Sequence, residues 1–174
     1  MKLVVLDRDG VINFDSPAFI KSPEEWRPIP GSLDAIARLS RNGFAIAVAT
    51  NQSGLARGLL DQETLDAIHL RMTEAVARAG GRIDHIAWCP HGPDEGCGCR
   101  KPAPGLIDQI FAALGRPQSG WMVGDRPSDV AAGAARGLRT ILVGRHDGAA
   151  GAEAVLPDLK TAADHILAAT LAKL

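Results

Sequence analysis

Short apolar, β-branched runs recur along this chain, each followed by a helical pattern, and this alternation narrows the fold more than any other feature. Lys2–Leu6 (KLVVL) reads as a buried strand that ends at Asp7. Residues 32–43 (SLDAIARLSRNG) read as an amphipathic helix, with Ser32 placed to cap it and Gly43 to stop it. Residues 44–50 (FAIAVAT) form a second strand. The stretch 61–81 starts at Asp61, a natural N-cap, and puts Leu65, Ile68, Met72 and Val76 on one helix face. Residues 82–89 (RIDHIAWC) read as a third strand, 104–115 as a helix and 120–124 (GWMVG) as a fourth strand. Pro127 opens the next helix at a position where its missing N–H costs nothing. Residues 138–144 form a fifth strand, and 160–174 close the chain as a helix.

Alternation of this kind implies parallel strands with helices on both faces. The expected fold is α/β, a Rossmann-like three-layer α/β/α sandwich around a parallel sheet of five or more strands. At 174 residues, 46% of them apolar, the chain suits one core. Residues 1–174 are read as a single domain with no inserted segment large enough to be a cap. Ligands of such sheets bind at the carboxyl ends of the strands, where this sequence has Asp7, Thr50, Cys89 and Asp125. The irregular stretch from Asn13 to Gly31, with four prolines and a tryptophan, reads as a loop or small flap near that site.

A formal net charge of −1 gives no general attraction to nucleic acid or to an anionic membrane, so neither is an expected partner. No apolar run is long enough to span a bilayer. The opening residues reach Asp7 after four apolar positions, too few for a signal peptide, so a cytoplasmic protein is expected. A monomer is the default assembly.

The motif DRDGVIN supplies Asp7 and Asp9, which point to the same side of an extended chain, and Gly10 lets the chain turn away. GDRPSD adds Asp125 and, one helical turn later, Asp129. Carboxylates about 4 Å apart repel by roughly 4 kcal/mol at an effective dielectric near 20, so the cluster calls for a cation. All-oxygen ligands suit Mg²⁺ together with a substrate phosphate. A carboxylate at such a metal can attack phosphorus, and its neighbour two residues on can act as general acid and base. The phosphoryl group needs donors around it. Thr50, Asn51 and the backbone near Gly54 offer hydrogen bonds, and Lys101 offers a full positive charge. Each piece alone has an ordinary explanation as a turn, a cap or a solvated charge. Their shared placement just after strands is what points to a site.

Cys89, His91, Cys97 and Cys99 place four soft or borderline ligands within eleven residues. A disulfide or unrelated buried thiols are the other readings. The odd cysteine count argues against the first, and the Gly-, Pro- and Asp-rich loop, poor in apolar side chains, against the second. Residues 89–99 are read as a loop ordered by structural Zn²⁺, bound tetrahedrally by Cys₃His. The loop ends at Arg100-Lys101, so the zinc would stiffen the element that delivers these cations. A zinc-dependent hydrolase fails on ligand type, because a closed four-ligand site leaves no position for water.

In this order, LDRDGVI, the Thr of ATNQSG, the Lys of CRKP and VGDRPSD resemble the four signatures of the haloacid dehalogenase superfamily of Mg²⁺-dependent phosphohydrolases. The resemblance implies Asp7 as nucleophile and Asp9 as general acid/base, with Thr50 and Lys101 holding the phosphoryl group. It implies Mg²⁺ bound by the Asp7 and Asp125 side chains and the Asp9 carbonyl. The cysteine loop followed by CRKP is similar to two groups of the superfamily, phosphatases of histidinol phosphate and of D-glycero-D-manno-heptose 1,7-bisphosphate. TNQSGLARG and DRDGVIN look closer to the heptose group, which serves lipopolysaccharide core heptose synthesis by removing the 7-phosphate. That likeness implies a small sugar phosphate as partner, with Asn51, Ser53, Arg100 and Arg126 lining its pocket. Arg57 and Lys21 are further candidates for a second phosphate. Two departures touch these substrate contacts: the cysteine loop is shorter than in some heptose phosphatases, and SPAFIKSPEEWRPIPG lacks a Gly-Tyr pattern seen in some relatives. A non-catalytic phosphate-binding module is the rival from another class. His69 and His165 read as surface or core-edge residues, and Trp26, Trp88 and Trp121 as packing.

Overall fold

The computed structural model describes residues 1–172. Six parallel strands form one sheet: β1 (Lys2–Leu6), β2 (Phe44–Asn51), β3 (His85–Cys89), β4 (Ser119–Gly124), β5 (Arg139–Val143) and β6 (Ala154–Leu156). Their order across the sheet is β3-β2-β1-β4-β5-β6. The helices are α1 (Ser32–Arg41), α2 (Gln62–Arg78), α3 (Gly105–Leu114), α4 (Pro127–Ala134) and α5 (Leu159–Leu171). The expected α/β sandwich is therefore present.

Side-chain alternation along the central strands builds the two layers. Val4, Leu6, Ile46 and Val48 join one apolar cluster with Ile36 of α1, Ile68 of α2 and Ile166 of α5. Leu3, Val5, Ala47 and Ala49 join the other with Leu106 and Ile110 of α3. Leu65, Ile68, Met72 and Val76 are all fully buried, as the helical spacing requires. Asp61 caps α2, its side chain accepting from the Thr64 N–H at 2.8 Å. Trp26 is buried in the first cluster, which assigns it to packing.

Several boundaries differ from expectation, each for a local reason. Ser32 is the first helical residue rather than the cap, and its hydroxyl instead donates to the Ile12 carbonyl at 2.7 Å, tying α1 to the first loop. The third strand starts at His85 rather than Arg82, because Arg82 and Asp84 bond across to the start of β2 through Phe44 and Ile46. The three-residue β6 is too short for a periodic signal. The closing helix is seen through Leu171; the expected residues 173–174 lie outside the described residues. Among the described residues, no helix is long and apolar enough to cross a membrane.

In this strand order β1 is central, with β2 on one side and β4 on the other. The chain enters and leaves β1 where the order reverses, and such a point opens a crevice at the carboxyl ends of the strands. Asp7 follows β1, Thr50 and Asn51 end β2, Cys89 ends β3 and Asp125 follows β4.

Candidate active site

These strand ends surround a cavity of about 750 Å³. Asp7, Asp9, Thr50, Lys101 and Asp129 line it on the sheet side. Pro17, Phe19 and Ile20 of the first loop form an apolar flank, which places the 13–31 segment at the site as expected. Arg57, Arg100 and Arg126 also line it, together with Asn51 and Ser53. Lys21 does not, and instead pairs with Glu25 at 3.3 Å.

Lys101 is buried and its Nζ is fully committed. It donates to Asp7 Oδ1 at 2.8 Å, to Asp129 Oδ1 at 2.6 Å and to the Ala49 carbonyl at 2.7 Å. Burial alone would lower its pKa, but the Asp7 and Asp129 carboxylates outweigh this and raise it. Burial, reinforced by Asp129, raises the Asp7 pKa well above the usual carboxylate range despite the lysine. Asp125 is raised too, chiefly by burial.

Asp7, Asp125 and Asp129 each bring a carboxylate oxygen within 4.8 Å of the others. Asp129 has little capacity to spare: its Oδ1 takes Lys101, and its Oδ2 accepts the Asp125 and Arg126 backbone N–H groups at 3.1 Å. Asp125 differs, since its buried Oδ1 has no hydrogen-bond partner. A buried carboxylate oxygen without a donor beside two other carboxylates is the donor set a hard divalent cation takes. Gly10 makes room for it. A Cβ at that position would lie 2.1 Å from Asp125 Oδ2, and the backbone there has φ +85°, a region only glycine enters freely. Gly124 plays the same part for Asp129, whose Cβ would lie 2.1 Å from an added methyl.

The Asp9 carboxylate stands outside this cluster of three. Its side chain sits in a ring of four donors. Oδ1 accepts from Arg8 Nε at 2.8 Å and Asn13 Nδ2 at 2.9 Å. Oδ2 accepts from an Arg8 terminal N–H at 3.1 Å and Gln52 Nε2 at 3.3 Å. Burial would raise the Asp9 pKa, but Arg8 overcomes that and holds it below the usual value.

Arg8, Asn13, Gln52 and His69 are therefore part of the site, and the sequence reading passed them over. His69, expected at the surface or core edge, is buried beside Arg8, its Nε2 3.2 Å from a guanidinium nitrogen. Arg8 could have been suspected only from its place between two aspartates. Nothing in the sequence marks His69 or Asn13.

Gln52 also donates to Thr50 Oγ1 at 2.8 Å, which leaves the Thr50 hydroxyl hydrogen available to the cavity. Asn51 uses its side chain differently from expectation. Its Oδ1 accepts the Lys101 backbone N–H at 3.0 Å and its Nδ2 donates to the Lys101 carbonyl at 3.2 Å. Ser53 Oγ faces Arg57 Nε at 3.4 Å. Arg126 reaches across the cavity mouth to Asp15, at 3.3 Å.

Cys89, His91, Cys97 and Cys99 do come together. The three cysteines are free thiols. Their sulfurs and His91 Nδ1 lie 3.0 to 3.6 Å from one another along four contacts. Ligands about 2.3 Å from a tetrahedral zinc stand roughly 3.8 Å apart, so the four atoms need only a small expansion to take one. Burial pushes the Cys89 thiol up to about 12, whereas the Arg100 backbone N–H, donating at 3.4 Å, brings Cys97 down to about 6. The Arg100 side chain also donates to the His91 carbonyl at 3.3 Å. The cluster thus holds Arg100 by both backbone and side chain, next to Lys101.

The HAD-hydrolase-like family model matches residues 98–174. The chain is 56% identical over 144 residues to a D-glycero-beta-D-manno-heptose-1,7-bisphosphate 7-phosphatase of Pseudomonas putida, covering 82% of each protein. It is 54% identical over 142 residues to the phosphatase of the same name from Pseudomonas aeruginosa, covering 81% of this chain and 80% of the relative. Its fold superposes with a TM-score of 0.90 on the crystal structure of a D,D-heptose 1,7-bisphosphate phosphatase from B. bronchiseptica complexed with magnesium and phosphate. That pair shares 47% identity over 97% of this chain and 99% of the other. The chain therefore belongs to the haloacid dehalogenase superfamily, and is a phosphatase of the group to which these heptose-bisphosphate enzymes belong.

Proposed function

We propose that this phosphatase removes the 7-phosphate of D-glycero-D-manno-heptose 1,7-bisphosphate through an aspartyl-phosphate at Asp7, in the cytoplasmic synthesis of lipopolysaccharide core heptose. The observation that carries the reading is the layout of one cavity. A carboxylate paired with a buried lysine lines it, and so do three arginines, Arg57, Arg100 and Arg126. A substrate with phosphates at both ends matches that spread of charge, and the relatives from two Pseudomonas species carry this substrate in their names.

The chemistry follows from the residues. An Asp7 oxygen attacks phosphorus, the bond to the sugar oxygen breaks, and that oxygen takes a proton from Asp9. Water then attacks the phosphorus on Asp7 and gives a proton to Asp9. The bond to Asp7 breaks and inorganic phosphate leaves. The Thr50 hydroxyl stabilises the phosphoryl oxygens by a hydrogen bond, and Lys101, whose N–H groups are taken, by its positive charge beside Asp7. Asp7, Asp125 and the Asp9 carbonyl would hold Mg²⁺, which supplies positive charge to the nucleophile and the phosphoryl oxygens when bound. Cys89, His91, Cys97 and Cys99 would hold Zn²⁺, which would fix the loop of residues 89–99 and take no part in bond breaking.

Arg100, Arg57 and Arg126 receive the phosphate that is not cleaved. The test is kcat/KM for both anomers of the heptose bisphosphate, set against histidinol phosphate. Preference for a heptose bisphosphate by at least about tenfold is expected; preference for histidinol phosphate overturns the assignment.

A further inference from the structure

We propose that Arg8, fixed by His69, is a positioning residue for Asp9; this rests on the role of Asp9 given above. Arg8 is the one arginine of the first motif and is completely buried. Its guanidinium grips both oxygens of the neighbouring carboxylate, a two-point contact that sets the plane of the carboxylate as well as its position. Such a fork is useful only if the guanidinium itself cannot turn.

His69 supplies that restraint. A guanidinium can only donate, so His69 Nε2 must be the accepting nitrogen, 3.2 Å away. His69 sits in the middle of α2, and its ring also packs against Trp88 of β3, with centroids 5.9 Å apart. The orientation of Asp9 is thus referred to a helix outside the cavity. Gln52 completes the ring: its Oε1 faces Arg8 at 3.4 Å, while its Nε2 reaches both Asp9 and Thr50.

The ring is asymmetric. Both donors to Oδ1 are close, at 2.8 and 2.9 Å, whereas both donors to Oδ2 are longer, at 3.1 and 3.3 Å. Oδ1 is the more tightly held oxygen, fixed by Arg8 Nε and Asn13, and serves as the pivot of the carboxylate.

Leaving-group dependence separates this role from a merely structural one. A sugar alkoxide needs the proton from Asp9, and p-nitrophenolate leaves without it. The rate of the first, bond-breaking turnover is measured for heptose 1,7-bisphosphate and for p-nitrophenyl phosphate. The Asp9→Asn variant is the reference, expected to lose about a hundredfold or more on the sugar phosphate and far less on the aryl phosphate. Arg8→Met and Arg8→Lys should show the same split, with about tenfold or greater loss on the sugar phosphate alone. His69→Leu should show a smaller split, and His69→Gln, which keeps an acceptor, should largely restore the wild-type ratio. Equal losses on both substrates in the Arg8 and His69 variants overturn the proposal. Where Arg8→Met does not fold, the two His69 variants decide by themselves. An Asp9→Asn variant without the split instead overturns the role of Asp9, which makes the two failures distinguishable.

Discussion

Lys101 Nζ and Asp129 Oδ1 lie 2.6 Å apart, both side chains almost wholly shielded from water. The contact joins the loop after β3 to the first turn of α4, and both backbone N–H groups that Asp129 accepts belong to the end of β4 and the start of that turn. One carboxylate therefore holds the lysine in place and fixes the path of the chain through Asp125. Asp129 is a counter-ion and a cap, and its oxygens are used up by the chain itself.

Removing it leaves a buried ammonium with one carboxylate instead of two. Breaking a buried pair from one side costs about 3 to 5 kcal/mol, and the remaining contact to Asp7 puts Asp129→Asn near the lower figure. Urea unfolding should show a loss of about 3 kcal/mol, and turnover should fall because Lys101 and Asp125 shift together. Unchanged stability would contradict the pairing.

Asn51 was expected to touch substrate, but both its polar atoms face the backbone of Lys101. Its loss should lower kcat through the lysine and leave KM nearly unchanged. Asn51→Ala combined with Lys101→Ala should cost clearly less than the sum of the two single changes, since the clamp has no value without the side chain it places. Additive losses, or a rise in KM alone, would return Asn51 to the substrate.

The parts of the site that were legible in the sequence are those whose chemistry is unusual for their position. Asp7 and Asp125 stand just after strands, Thr50 stands at the end of one, and the four zinc-type ligands lie close together along the chain, so order and spacing suffice. The fold was legible because periods of two and of 3.6 alternate over long stretches, and the miss at β6 came from three residues that are too few for either. The supports of the site were not legible. Arg8 and His69 meet across 61 positions, and Asn51 meets Lys101 across 50. A histidine at a helical spacing carries no mark of the guanidinium it will face. Asn51 had the right place and an unforeseen partner, because a side chain at a strand end can turn to the cavity or to the neighbouring loop.

His69 makes stability depend on pH. Burial, with the positive charge of Arg8 adding to it, lowers its pKa from the ordinary value to about 3. Below about pH 6.5 the unfolded chain binds a proton at His69 that the folded chain refuses until about pH 3. Stability from this residue is thus complete above pH 6.5 and is lost as pH falls through that window, by about 2 kcal/mol at pH 5. The difference in unfolding free energy between wild type and His69→Gln should shrink by about that amount from pH 7 to pH 5. A difference that stays constant over this range would mean that His69 is not held neutral.

The cysteine cluster predicts that zinc and activity go together. Cys97→Ser should lower bound zinc and reduce turnover by about tenfold to a hundredfold, because Arg100 loses the sulfur its backbone N–H bonds and a shift of about 1 Å in a positioned group costs on that order. Metal analysis and phosphate release on the same preparation decide it. Full activity in a zinc-free variant would separate the loop from the site.

The central claim is that Asp7 becomes phosphorylated. The most direct test is rapid acid quench of the enzyme with Mg²⁺ and substrate labelled in the cleaved phosphate, followed by peptide mapping. The account predicts transient, alkali-labile label on the peptide that carries Asp7, and none with Asp7→Asn, whose turnover should fall by on the order of 10⁴-fold or more. Label on another residue, or near-normal phosphate release from Asp7→Asn, would contradict it.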